Sequence, residues 1–325
     1  MLSLSSCLDI ITREIIILKD ENKQPVELYQ PIHYILGLEG KRLRPALTLM
    51  ACNLFTDDVS LAVKPALAME VFHNFTLLHD DIMDNAPLRR NQPTVHEKWN
   101  NNVAILSGDA MQILAYQLIC QAPSSKLKVL IDIFNTTAIE VCEGQQFDMI
   151  FALRNDVSLE EYIRMIELKT SVLIAASLKI GALCGEASET DAQKLYEFGR
   201  NLGIAFQIQD DYLDVYADYK LFGKTVGGDI VENKKTFLLI KALELAKGQQ
   251  ALTLQNAINS RIFDVAEKVI QVRQVYDDLN IPQIARASIS AYSEKAFGFL
   301  DSVIVPDERK TILRQIALEL INREK

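Results

Sequence analysis

Leu77-Leu78-His79-Asp80-Asp81-Ile82-Met83-Asp84 closes a strongly apolar run with three carboxylates. A near copy, Phe206-Gln207-Ile208-Gln209-Asp210-Asp211-Tyr212-Leu213-Asp214, returns about 130 residues later. Apolar residues recur around both at three- and four-residue steps, which predicts helix for each. Asp80 and Asp84 are four apart and share a helical face, as do Asp210 and Asp214. Two such faces turned toward each other would form a cage of up to six carboxylates. A lone DDxxD is most simply a solvated acidic face. Two copies in apolar settings, where an unpaired charge costs several kcal/mol, point instead to a hard divalent cation. Mg²⁺ fits best, since it takes one or two carboxylates together with substrate phosphates.

Around these motifs the chain reads as helix throughout. Short helices are expected over residues 3–19 and 27–38, with a turn at 20–25 between them. Residues 59–84 form a long helix ending in the first motif, and further helices cover 101–121, 124–152, 158–184 and 188–218. Residues 250–323 read as amphipathic helices. No convincing strand pattern appears, so the expected fold is all-α, a single-domain antiparallel helix bundle around a large central cavity.

Cations flank the acidic motifs. Gly40-Lys41-Arg42-Leu43-Arg44-Pro45 reads as an anion site at a helix N-terminus or as an ordinary basic patch. His73, two turns before Asp80 and roughly 10 Å along the axis, favours a substrate contact over a core histidine. Arg89 and Arg90 sit in a Pro- and Asn-rich loop just beyond the first motif, and arginine suits bidentate phosphate contacts. Gly144-Gln145 with Asp148, and Lys169-Thr170, lie on later helices. The loop 220–229, with Lys224, has the glycines and cations of a flap over phosphate. Lys234 follows in Asn233-Lys234-Lys235-Thr236.

The totals exclude several classes. The 325-residue chain is 49% hydrophobic with 13 Gly and 9 Pro, which is globular rather than disordered. A net charge of -9 argues against nucleic acid and leaves anionic ligands to metal or local cations. Cys7, Cys52, Cys120, Cys142 and Cys184 lie in apolar segments without a CxxC, and read as reduced core residues of a cytoplasmic protein. No apolar run reaches the roughly 18 residues that span a bilayer. The N-terminal segment reads as an amphipathic helix and not a signal peptide. No nucleophile–base arrangement and no GxxxxGK[ST] loop is present. What remains is a plan for two phosphorylated molecules, one held through metal and one by cations alone, with an apolar space for a carbocation.

In order and spacing, GKRLRP at 40–45, His73, DDIMD at 80–84 with RR at 89–90, GQ at 144–145, KT at 169–170, FQIQDDYLD at 206–214, GK at 223–224 and NKKT at 233–236 resemble the trans-isoprenyl diphosphate synthases, the polyprenyl synthetase family of the farnesyl/geranylgeranyl type. The resemblance implies a usual set of three Mg²⁺ held mainly by Asp80, Asp84 and Asp210, with Asp81, Asp211 and Asp214 completing or supporting the shell. It implies that Arg89, Lys169 and Lys224, aided by Lys234, hold an allylic diphosphate (dimethylallyl, geranyl or farnesyl). Lys41, Arg44, His73 and Arg90 would hold isopentenyl diphosphate. Gln207 and Thr170 would flank the reacting carbons, and Gln145 and Asp148 would line the site. The implied reaction is ionisation, 1'-4 condensation and proton loss, in a homodimer. Asn91 and Gln92 stand where the family often has Gly-Lys, Glu39 where another Gly is frequent, and Leu173 where some farnesyl synthases carry Tyr.

Product length is read from the residues upstream of Asp80. Thr76 is small, and the helical wheel sets it nearest the Asp80 face, with Phe72 next and Phe75 to the side. An aromatic at the fifth upstream position alone resembles archaeal-type C20 enzymes. The expectation is geranylgeranyl diphosphate, with farnesyl diphosphate second. Alternatively, both Phe residues are ordinary core and the floor lies on a neighbouring helix. The rival readings are a class I terpene cyclase, which lacks a second DDxxD, and a catalytically silent modulatory subunit, which would have lost motif residues.

Overall fold

The apolar periodicity becomes helix almost everywhere. The computed structural model describes residues 2–19, 23–217, 227–260 and 264–323. The helices are α1 (Leu4–Leu18), α2 (Val26–Gly37), α3 (Leu43–Asn53), α4 (Ser60–Met83), α5 (Val95–Lys98), α6 (Asn101–Ile119), α7 (Ser124–Ala152), α8 (Leu159–Ile166), α9 (Val172–Cys184), α10 (Glu189–Tyr216), α11 (Gly228–Val231), α12 (Phe237–Leu245), α13 (Gln249–Asn259), α14 (Val265–Asp278), α15 (Ile281–Ser302) and α16 (Asp307–Ile321). The fold is all-α.

Contacts group the chain into two units. One comprises Met1–Thr136, Ala176–Tyr196 and Val303–Leu313. In it α4 packs against α3 and α6, and α1 lies on α3 and α4. Leu47, Leu67, Ala68 and Val71 are completely buried there, as the one-sided apolar pattern of these helices requires. The other comprises Thr137–Ala175, Glu197–Ser302 and Arg314–Lys325. In it α12 packs against α8, α14 and α15.

Three local features depart from the sequence reading. The expected 158–184 helix is interrupted by one π-helical turn, Glu167–Ser171, which carries Lys169 and Thr170; such turns displace side chains from the regular helical register. The loop after the first motif is a minimal hairpin, β1 (Leu88–Arg89) paired antiparallel with β2 (Gln92–Pro93). Its turn residues Arg90 and Asn91 have φ of 53° and 60°, the left-handed region that a two-residue hairpin demands and that Asn tolerates. Finally, Cys7, Cys52 and Cys184 are buried as expected, but Cys120 and Cys142 are exposed. Both lie on outward faces of helix ends or helices whose apolar content is set by their other side, so apolar surroundings in sequence did not mean burial. None of the five forms a disulfide.

Candidate active site

In the first unit, α4 delivers the first motif and the basic groups gather around it. Asp80 and Ile82 are half-buried, Asp84 is exposed, and Asp81 is buried at 2%. Asp81 is spent internally: Arg89 Nε donates to both its oxygens at 2.8 Å, and Nη2 lies 2.7 Å from Oδ1. This fork-to-carboxylate geometry is the strong form of an ion pair. It fixes Arg89 beside the motif while leaving it 27% exposed.

The Gly40–Pro45 stretch divides its cations. Arg42 has φ 44° and donates from Nη1 to Thr12 Oγ1 at 2.6 Å, so it serves the fold. Arg44 Nη1 lies 3.0 Å from His73 Nε2. Burial, reinforced by Arg44, Arg90 and Arg89, holds the His73 pKa well below the usual range. The ring is therefore neutral and accepts at Nε2. Burial also pulls Arg44 down to about 10, against the raising effect of Glu70. Arg44 Nε is buried with no protein partner among the described residues, which leaves a donor for a ligand. Arg90 Nη1 donates to Leu38 O at 3.3 Å, and a Cβ on Gly40 would lie 2.5 Å from the same nitrogen. Gly40 is thus the residue that lets Arg90 lie across the loop. Lys41 is exposed. Glu70 on α4, 3% exposed, is a counter-charge to Arg44, Arg90 and Arg42 that the sequence reading missed. It lies inside the apolar stripe, and only its position one turn before His73–Asn74 could have signalled it.

The upstream aromatics form one cluster. Phe72 and Phe75 rings are 5.5 Å apart, Phe72 meets Phe134 edge-on at 5.2 Å, and Phe75 meets His79 at 4.8 Å. Phe72 and Phe75 thus pack as one aromatic pair on α4. Thr76 is half-buried, and its hydroxyl donates back to His73 O at 2.8 Å.

In the second unit, α10 delivers the second motif. Again the middle aspartate is the buried one. Asp211, 4% exposed, accepts at Oδ2 from the Tyr162 hydroxyl at 2.5 Å and from the Phe237 N–H at 2.9 Å. Burial first, then the facing Asp229 carboxylate, pushes its pKa up to about 7. Asp214 is half-buried, accepts at Oδ2 from the Asp229 N–H at 3.0 Å, and is pushed up to about 6 by burial and Asp229. Asp210 pairs with Arg323, whose guanidinium also lies over the Phe206 ring at 4.2 Å. The π-turn meets α7 and α10 here. Lys169 Nζ is 2.5 Å from Asp148 Oδ2, and Thr170 Oγ1 donates to Gln207 Oε1 at 3.2 Å. Gln145 is buried on α7. Asp148, Tyr162, Lys169, Thr170, Gln207, Asp211 and Lys234 line one small cavity of about 50 Å³. Lys234 Nζ lies 3.7 Å from Asp229. Burial opposes its charge, but Asp229, Asp211 and Asp148 outweigh this and raise its pKa. Lys224 lies outside the described residues. Tyr162, Asp229 and Arg323 join the site unannounced by any motif; only the fold brings them to it.

Each acidic motif therefore offers an outward pair one turn apart and an inward carboxylate already satisfied. Among the described residues no three acidic, histidine or cysteine groups converge as a preformed metal cluster. The donors are nevertheless hard oxygens, and Arg323 on Asp210 and Arg89 on Asp81 show these positions accepting positive charge. The residues fit Mg²⁺.

Comparison with known proteins agrees with this geometry. The polyprenyl synthetase family model matches residues 25–279. A geranylgeranyl diphosphate synthase of Methanosarcina mazei is 39% identical over 308 residues, covering 93% of this chain and 91% of its own. A geranylfarnesyl diphosphate synthase of Natronomonas pharaonis is 33% identical, covering 93% and 91%. A crystal structure of a geranylgeranyl pyrophosphate synthase superposes with a TM-score of 0.94 at 42% identity over 100% of both chains. With the helices, the paired aspartate motifs and these matches in agreement, the chain belongs to the polyprenyl synthetase family.

Proposed function

We propose that the protein is a trans-prenyltransferase that condenses isopentenyl diphosphate with an allylic diphosphate, with geranylgeranyl diphosphate as the main product. The observation that carries this is the pair of outward carboxylate faces, Asp80/Asp84 and Asp210/Asp214, each accompanied by a separate set of cations. Mg²⁺, most simply three ions held by Asp80, Asp84, Asp210 and Asp214, would neutralise charge on a departing diphosphate. Arg89, Lys169 and Lys234, with Lys224, bind and orient the allylic diphosphate. Lys41, Arg44, Arg90 and the neutral His73 bind isopentenyl diphosphate; the free Arg44 Nε is one donor for it. Thr170 and Gln207, hydrogen-bonded to each other, present oxygen dipoles to the developing cation, and Gln145 and Asp148 line the same region. The released diphosphate takes the proton lost after condensation. The product grows into a central apolar cavity closed by Phe72 and Phe75.

The same reading takes the chain as one domain, which is supported by four of the five boundaries between its two units falling inside helices, α7, α9, α10 and α16. A homodimer goes with this reading, and the exposed Leu106 and Ile113, seven residues apart on one face of α6, support it as apolar contacts for a second copy. No helix among the described residues is long and apolar enough to cross a membrane, and five cysteines outside any disulfide suit a reducing, cytoplasmic setting. Incubating the purified protein with Mg²⁺, isopentenyl diphosphate and farnesyl diphosphate tests the reaction. Growth of the allylic chain by one five-carbon unit is the expected result. Diphosphate binding without chain growth would overturn it.

A further inference from the structure

Asp210 and Asp214 share a face of α10, while Asp211 is turned about 100° from Asp210. That turn carries it inward. Its Oδ2 receives two donors, the Tyr162 hydroxyl at 2.5 Å and the Phe237 N–H at 2.9 Å. Phe237 is the first residue of α12, directly after the N-cap Thr236, whose hydroxyl accepts from Leu239 N. Lys234 lies on the turn that enters this helix, facing Asp229, which in turn donates its N–H to Asp214. Tyr162 is 2% exposed on α8, its ring edge-on to the Phe237 ring with the centroids 6.4 Å apart. A buried carboxylate is costly unless its donors are fixed, and here both donors come from elements other than α10. The bond to Phe237 ties the helix of the second motif to the turn that carries Lys234, and Tyr162 holds that bond's acceptor in place.

We infer that Tyr162 is a positioning residue for prenyl transfer: through Asp211 it fastens the Lys234 turn to the helix bearing Asp210 and Asp214. This rests on the prenyltransferase reading. Asp211 then acts as an anchor, and the metal-facing work of the second motif falls to Asp210 and Asp214. The first motif has the same division, with Asp81 locked by Arg89. A purely structural Tyr162–Asp211 pair would stabilise the fold without being coupled to Lys234.

The test is a double-mutant cycle of Tyr162→Phe, which keeps the ring and deletes the hydroxyl, with Lys234→Ala. Wild type, both single variants and the double variant are compared for kcat, for Mg²⁺-dependent binding of inorganic diphosphate by calorimetry, and for melting temperature. Tyr162→Phe is expected to lower kcat about tenfold and to weaken diphosphate binding severalfold, with little further loss when Lys234 is already Ala. Effects that multiply in the double variant, or a Tyr162→Phe enzyme equal to wild type, would overturn the inference. Wild type without turnover would instead sink the prenyltransferase reading. Should Tyr162→Phe melt below the assay temperature, Asp211→Glu carries the same cycle, since it keeps the charge and displaces the anchoring oxygen. Coupling to Lys234 is expected there too, and independence would overturn the inference.

Discussion

Replacing Gly144 by Ala tests how tightly the structure holds Lys169 and Thr170. A Cβ built at Gly144 on α7 would lie 2.3 Å from Lys169 N, 2.6 Å from its Cα and 2.7 Å from Leu168 C. All three are backbone atoms of the π-turn, so no side chain can swing aside. Ordinary contact begins near 3.4 Å, so the turn or α7 must retreat by about 1 Å. The intrinsic helix preference for Ala offers about 1 kcal/mol. Overpacking costs typically 1–3 kcal/mol, so strain wins or nearly balances. The larger consequence is chemical. The Lys169–Asp148 contact of 2.5 Å and the Thr170–Gln207 bond of 3.2 Å both depend on the turn's position. A displacement of about 1 Å in a positioning element can cost about 100-fold in rate, equivalent to about 2.7 kcal/mol of transition-state stabilisation. Steady-state kinetics with labelled isopentenyl diphosphate should show kcat down about 100-fold, with a melting temperature only a few degrees lower. A Gly144→Ala enzyme turning over within threefold of wild type would refute the reasoning.

Two further outcomes follow from the aromatic cluster and the buried aspartate. Phe72→Ala, Phe75→Ala or the pair should lengthen the product, read by chromatography of the hydrolysed prenyl alcohols. Each truncation should also cost about 3–5 kcal/mol of stability, and an unchanged product length from the double variant would remove both from the floor. The Asp211 carboxyl, pushed up to about 7, makes the metal-free protein pH-sensitive. Its folded pKa lies above the unfolded value near 3.9, so this stabilising contribution is present below about pH 4 and is lost as pH rises through about 7. The shift of about three units corresponds to about 4 kcal/mol at most. Denaturation curves from pH 4.5 to 8 should therefore fall more steeply with pH for wild type than for Asp211→Asn, and parallel curves would contradict it.

The helices and the acidic motifs were legible because both rest on local period. Asp80 with Asp84, and Asp210 with Asp214, are neighbours by helix geometry alone, whatever surrounds them. The inward turn of Asp81 and Asp211 was equally implied by that geometry, but their partners were not. Arg89 reaches Asp81 only because Arg90 and Asn91 close a hairpin, and Tyr162 reaches Asp211 across 49 residues of chain. The wheel placed Phe75 by its angle from Asp80 alone; that it packs on Phe72 and His79, and Phe72 in turn on Phe134, is set by the fold. The π-turn was invisible for a related reason: Glu167–Ser171 has ordinary helical composition, and the close approach of Gly144 and Gly203 to it comes from helices distant in sequence. The exposed Cys120 and Cys142 mark the limit of reading burial from neighbours in sequence.

The central claim is the reaction itself, and the most direct measurement is product analysis. Purified protein, Mg²⁺ and labelled isopentenyl diphosphate are incubated with dimethylallyl, geranyl or farnesyl diphosphate in turn, and the product chain lengths are resolved. A dominant C20 product from each accepted primer is expected; a C15 stop or products beyond C20 would keep the reaction but contradict the floor at Phe72 and Phe75. No prenyl product from any primer, with Mg²⁺ and diphosphate still bound, would contradict the account.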